Sequence, residues 1–133
     1  MTYKVVIQGK NYNNHPAPGW NDRISASARH FQQGGKMERD FLWVCIEAIR
    51  RQLKGVVLKP YVYITYVFFE TDMRRDLGNI AFIDKPFCDA LQQCKVLAND
   101  NRQYIKKLTF IDGEIDKENP RIEIYIEDQV LKI

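Results

Sequence analysis

A chain of 133 residues, 45% hydrophobic and 28% charged, has the apolar material for one core and too much of it for a disordered chain. Its net charge of +3 permits contact with nucleic acid but is smaller than that of a dedicated non-specific DNA binder. No apolar run is long enough to span a bilayer, and the start "MTYKVVIQGK" lacks a signal peptide's hydrophobic block. Cys45, Cys88 and Cys94 form no CxxC pair, so free thiols in a reducing cytoplasm are expected, with no zinc site spelled out.

In chain order, "YKVVIQG" (3–9) is β-branched and bounded by a glycine, which predicts a strand. The stretch 10–35 carries Asn, Pro and Gly throughout and predicts a flexible arm. Its basic side chains, with Lys36 just beyond, are placed to track a phosphate backbone, and Trp20 and Phe31 are candidate exposed aromatics. From 36 to 54, Met37, Phe41, Val44, Cys45, Ala48, Ile49 and Leu53 recur at helical spacing, and Gly55 closes the predicted helix. "YVYITYVFFE" (61–70) is aromatic and β-branched on both faces, which predicts a central strand buried on two sides.

A second helix is expected after Asp84 as N-cap, since Pro86 is tolerated only in a first turn and Phe87, Leu91 and Cys94 then share a face. "YIKKLTFID" (104–112) and "RIEIYIE" (121–127) read as strands. The turn-rich "GEIDKENP" between them predicts a hairpin. The order β–arm–α–β–α–β–β predicts one α+β domain over 1–133, with a mixed sheet and two main helices.

Between Glu70 and Lys85 stand seven charged residues, denser than a turn requires. Carboxylates gathered where a core strand ends can hold Mg²⁺, which takes one or two of them plus waters and phosphate oxygens. A D-x-D pair on a strand aims both at one ion, because residues i and i+2 face the same way. Here Asp76 has Gly78 where its partner would stand, and carboxylates at a strand end are more commonly solvated turn residues.

The block "RRDLGNIAFIDKPFCDAL…VLANDNRQYIKKL" resembles the RusA-type Holliday-junction resolvases, common in bacteriophages and prophages. Their pattern is an arginine before D-x-D-N, a lysine leading into D-A-L at a helix, and an acidic pair past that helix. Arg75, Asp76, Asn79, Lys85, Asp89, Ala90 and Leu91 match it, and Asn99 and Asp100 take the later pair. The N-terminal half is similar too, through "YKVVIQG", "WND" in the arm and "GGKMERDF" at the helix start.

The resemblance implies a RusA-like fold and a dimeric, Mg²⁺-dependent endonuclease that cuts four-way DNA junctions in paired nicks. It implies Asp76 and Asp100 as metal ligands and Lys85 as the group that steadies the scissile phosphate. Arg74, Arg75, Lys36 and Arg102 would contact the DNA backbone. Two departures bear on this: Gly78 replaces the second carboxylate of D-x-D, and Asn99 brings an amide without charge to the acidic pair. They open an alternative, a RusA-like protein that binds branched DNA or a recombination partner without cutting. A small interaction protein with a solvated charged loop would instead lack affinity for junctions.

Overall fold

The computed structural model describes residues 1–131, so the last two residues of the expected 1–133 domain lie outside the described ones. The strands are β1 (Thr2–Gln8), β2 (Val62–Phe69), β3 (Ile105–Asp112) and β4 (Arg121–Glu127). The helices are α1 (Trp20–Arg29), α2 (Gln33–Gln52), α3 (Leu77–Ile80) and α4 (Asp84–Gln93), with a 3-10 turn over Ala81–Ile83 joining the last two. The architecture is α+β with a mixed four-stranded sheet.

The strand order is β1-β4-β2-β3, and this overturns the expected hairpin. β3 pairs parallel to β2, while β4 lies antiparallel between β1 and β2. The reason is the connection. β2, α4 and β3 form a β-α-β unit, whose crossover returns the chain parallel to its first strand. The turn-rich segment after β3 then carries the chain across the end of β2, where Gly113 N–H donates to Phe68 O and Asp116 N–H to Glu70 O.

The second correction concerns β2. Its residues alternate buried and half-buried, so only one face is in the core. Ile64, Tyr66 and Phe68 join Val5, Ile7, Ile122, Ile124 and Ile126 under Phe41, Cys45 and Ile49 of α2 and Phe87 and Leu91 of α4. Tyr61, Tyr63 and Phe69 lie on the opposite, half-open face instead of in the core. The aromatic character of both faces reads as double burial, yet phenolic tips and long cations can cover a solvated sheet face.

The third correction concerns the arm. Residues 20–29 form α1, and α2 starts at Gln33, before the predicted start at Lys36. Asn, Ser and Asp have modest helix propensity, so α1 depends on its ends and its packing. Asp22 reaches back to accept the Gly19 N–H at 2.7 Å. Gly34 lets α1 and α2 pack closely, because a Cβ there would collide with the side chains of Arg23 and Ser27. Trp20 and Phe31 are both exposed, as expected: Trp20 packs edge-on against Phe82 with ring centres 4.7 Å apart, and Phe31 stacks on His30.

The two sheet edges differ. At β1, the Gln52 side chain accepts the Val6 N–H at 2.7 Å and donates to Val6 O at 2.8 Å, as a neighbouring strand would. Among the described residues, the outer edge of β3 has no strand beside it. Among the described residues no helix is long and apolar enough to cross a membrane.

Candidate functional site

The charged segment that follows β2 is built around one buried ion pair. Arg75 donates to both Glu70 oxygens at 2.8 and 2.9 Å, to Ala17 O at 3.0 Å and to Asp22 at 3.4 Å. Its side chain is 11% exposed and that of Glu70 7%. The Arg75 guanidinium is therefore committed to tying the arm and α1 to the end of β2, and little of it faces solvent. Arg74 beside it is exposed and pairs with Asp72 at 3.8 Å. Lys36 lies on the first turns of α2 in an exposed i,i+4 pair with Asp40.

Asp76 and Gly78 do not form the strand pair that D-x-D reasoning supposes. Asp76 is extended (φ −72°, ψ 154°) and precedes α3, and Gly78 lies inside that helical turn. Residues i and i+2 on a helix do not share a face. The Asp76 carboxylate makes no capping bond. It lines a small cleft of about 150 Å³ with Glu70, Asp72, Arg75, Leu77 and Asp112. A Cβ at Gly78 would meet nothing within 4 Å, so the space for a side chain is open. Asn79 turns the other way, and its Oδ1 accepts the Asn21 N–H at 2.8 Å.

Asp84 is not the N-cap the sequence suggests. It is the first residue of α4, continuous with the 3-10 turn before it. Its Oδ1 accepts the buried Tyr66 hydroxyl at 2.7 Å and the Cys88 thiol at 3.3 Å. Burial, with the Asp84 charge second, pushes the Cys88 thiol well above its ordinary range, so it is an inert neutral donor.

Asp84 and Cys88 belong to a second groove, of about 330 Å³, that runs between α4 and the open edge of β3. Asp100, Arg102, Lys106 and Lys107 line the same groove. Asp89 lies close by. Burial raises its carboxyl above the usual range, opposed by Lys85, while Asp100, Glu38 and Asp84 push the same way as burial. Lys85, Asp89 and Asp100 thus share one neighbourhood.

Of the sequence-derived site residues, Lys85, Asp100 and Arg102 gather at this end of α4. Asp76 and Arg75 belong to the other cleft, Arg74 is exposed and lines neither, and Lys36 faces a third hollow with Arg29 and Asp40. The Mg²⁺ that the resemblance implies would rest on Asp76 and Asp100, which do not share one cleft. Among the described residues, no three His, Cys, Asp or Glu side chains gather so as to hold a metal ion. Asp76 and Asp100 line different clefts, and the position between Asp76 and Asn79 that would add charge is Gly78.

The sequence reading passed over Asp112, Lys106, Lys107 and the Tyr66–Asp84 bond. Two consecutive lysines inside a β-branched strand were a visible signal. The Tyr66–Asp84 bond joins residues far apart in sequence and left none. No protein-family model matches the chain, and no curated protein matches it.

Proposed function

We propose that this chain is a RusA-like protein that binds branched DNA and does not cut it efficiently. The observation that carries the reading is the separation of Asp76 and Asp100 into two clefts, with Gly78 in place of a third carboxylate. Mg²⁺ affinity follows the number of charged oxygens that converge on the ion, and Asp76 and Asp100, the ligands the resemblance names, line different clefts. Of the basic groups in and beside the motif, Lys85, Arg74 and Arg102 are exposed, and such cations position a phosphate backbone. Binding to a four-way junction as a homodimer follows from the same resemblance, because the junction's near two-fold symmetry suits a two-fold protein.

One observation favours a second reading, that of a Mg²⁺-dependent junction endonuclease. Asp84 and Asp100 line one groove beside Arg102. A titration of a labelled synthetic junction and a linear duplex, paired with a nicking assay with and without Mg²⁺, separates the readings. Junction-selective, salt-sensitive binding with nicking at background supports the proposal. Efficient Mg²⁺-dependent nicking overturns it in favour of the second reading. Equal affinity for junction and duplex, or none for either, removes both.

A further inference from the structure

In a regular strand, consecutive side chains point to opposite faces. Lys106 and Lys107 do not follow that rule. The β2–β3 register steps from Val62↔Ile105 to Tyr63↔Lys107, so one residue of β2 is matched by two of β3, and Lys106 is the extra one. A bulge of this kind re-aims a side chain. Here it sets both ammonium groups over tyrosines that share a face: Lys106 lies 4.9 Å from the Tyr61 ring centre and Lys107 5.7 Å from that of Tyr63. Tyr61 and Tyr63 are two apart and so project from the same side of the sheet.

Neither lysine, nor Arg102, has a carboxylate within 4.0 Å among the described residues, although Asp84 and Asp100 line the same groove and Glu127 stands opposite Tyr63. All three cations are exposed. A single lysine on an edge strand is ordinary protection against edge-to-edge pairing. That role does not require two adjacent lysines turned to one face and each held on an aromatic ring. Holding them there removes part of the side-chain entropy that an anion would otherwise have to quench.

We propose that Lys106 and Lys107 form a phosphate-binding rail along the open edge of β3, which seats the backbone of a DNA strand against the groove beside Arg102. The inference rests on the DNA-binding reading above and deepens it by naming where the strand lies. The β3 rail, with Arg102, then replaces the buried Arg75 as the main backbone contact.

The test is fluorescence anisotropy with a labelled four-way junction between about 50 and 200 mM salt. The proteins are the unmodified chain, K106A/K107A, K106R/K107R and the charge-matched control K54A/K95A, whose sites line another hollow. The alanine pair is expected to weaken binding and to lower the slope of log K against log salt by about 2, near 0.9 per phosphate contact. The arginine pair keeps the slope, and the control changes it little. In the unmodified protein, bound junction should also protect Lys106 and Lys107 from an amine-reactive label, a readout that needs no variant to fold. If the unmodified protein binds and the alanine pair keeps its slope, or neither lysine is protected, the rail is overturned and the DNA reading stands. If the unmodified protein binds no DNA at the lowest salt, both fall.

Discussion

Arg75 and Glu70 form a two-pronged ion pair at 2.8 and 2.9 Å, almost shielded from water, at the point where the arm meets the end of β2. Breaking such a pair from one side leaves a buried charge without its partner and costs about 3–5 kcal/mol. Arg75→Ala should lose stability of that order, read as a drop in urea midpoint. The segment ahead of α1, which Arg75 holds through Ala17 O, should become more open to protease. An Arg75→Ala protein with unchanged stability but much weaker DNA binding would return Arg75 to the DNA surface.

Tyr66 is buried, and its hydroxyl donates to the Asp84 carboxylate at 2.7 Å. A hydrogen bond to a charged group contributes about 1.5–3 kcal/mol. Tyr66→Phe keeps the ring stacked near Phe110 and removes only the donor. The expected result is a stability loss in that range with the fold retained. A neutral outcome would mean that Cys88 or water replaces the lost donor at Asp84.

Acid should find a weak point on the open face of the sheet. The Tyr125 hydroxyl, then the Arg121 guanidinium and Lys4, hold the Glu123 carboxyl at about 2, below its ordinary 4.5. A depressed carboxyl stabilises the fold above its unfolded value and loses that contribution as pH falls toward the folded one. The unmodified protein should therefore lose stability between roughly pH 4.5 and 2 through this group. Glu123→Gln should start lower in stability at neutral pH and show a flatter acid limb. Parallel melting curves against pH for the two proteins check this. Identical acid limbs would remove Glu123 from the account.

Gly78 can take a side chain without strain, since its Cβ direction is open and its φ is not positive. Gly78→Asp should fold with stability within about 1 kcal/mol of the unmodified protein, the scale of a glycine replacement in a helix. A carboxylate at 78 does not share a face with Asp76 but adds negative charge two residues from it, and should raise Mg²⁺-dependent nicking of a junction above the unmodified level. Asp76→Asn in that background should remove the gain. A Gly78→Asp protein that folds, binds junctions and gains nothing would locate the defect in the separation of Asp76 from Asp100.

Periodicity in the sequence was enough for the elements that are regular over many residues. The stripe through Met37, Phe41, Cys45 and Ile49 specified α2, and the alternation of Ile122, Ile124 and Ile126 specified β4 with one wet face. Both patterns are local, and burying the apolar side is what makes each element stable. The α+β class and the mixed sheet follow from the order of such elements. A match between spacing in the chain and a known motif likewise needs no coordinates, so Asp76, Lys85 and Asp100 could be named as candidates.

Tertiary structure decided the rest, because each remaining feature depends on a partner distant in sequence. Alternating isoleucines declare a buried face but not a neighbour, so only packing put β4 between β1 and β2 and left β3 an open edge. The helix α1 is weak by propensity; Asp22 caps it locally, and Gly34 of α2 and Arg75 beyond β2 hold it to the fold. Motif spacing did not tell that Arg75 turns inward to Glu70, that Asp84 serves Tyr66, or that Asp76 and Asp100 look into different clefts. The bulge at Lys106 is a mismatch between two paired strands. It is a property of the pair, and neither strand's own sequence contains it.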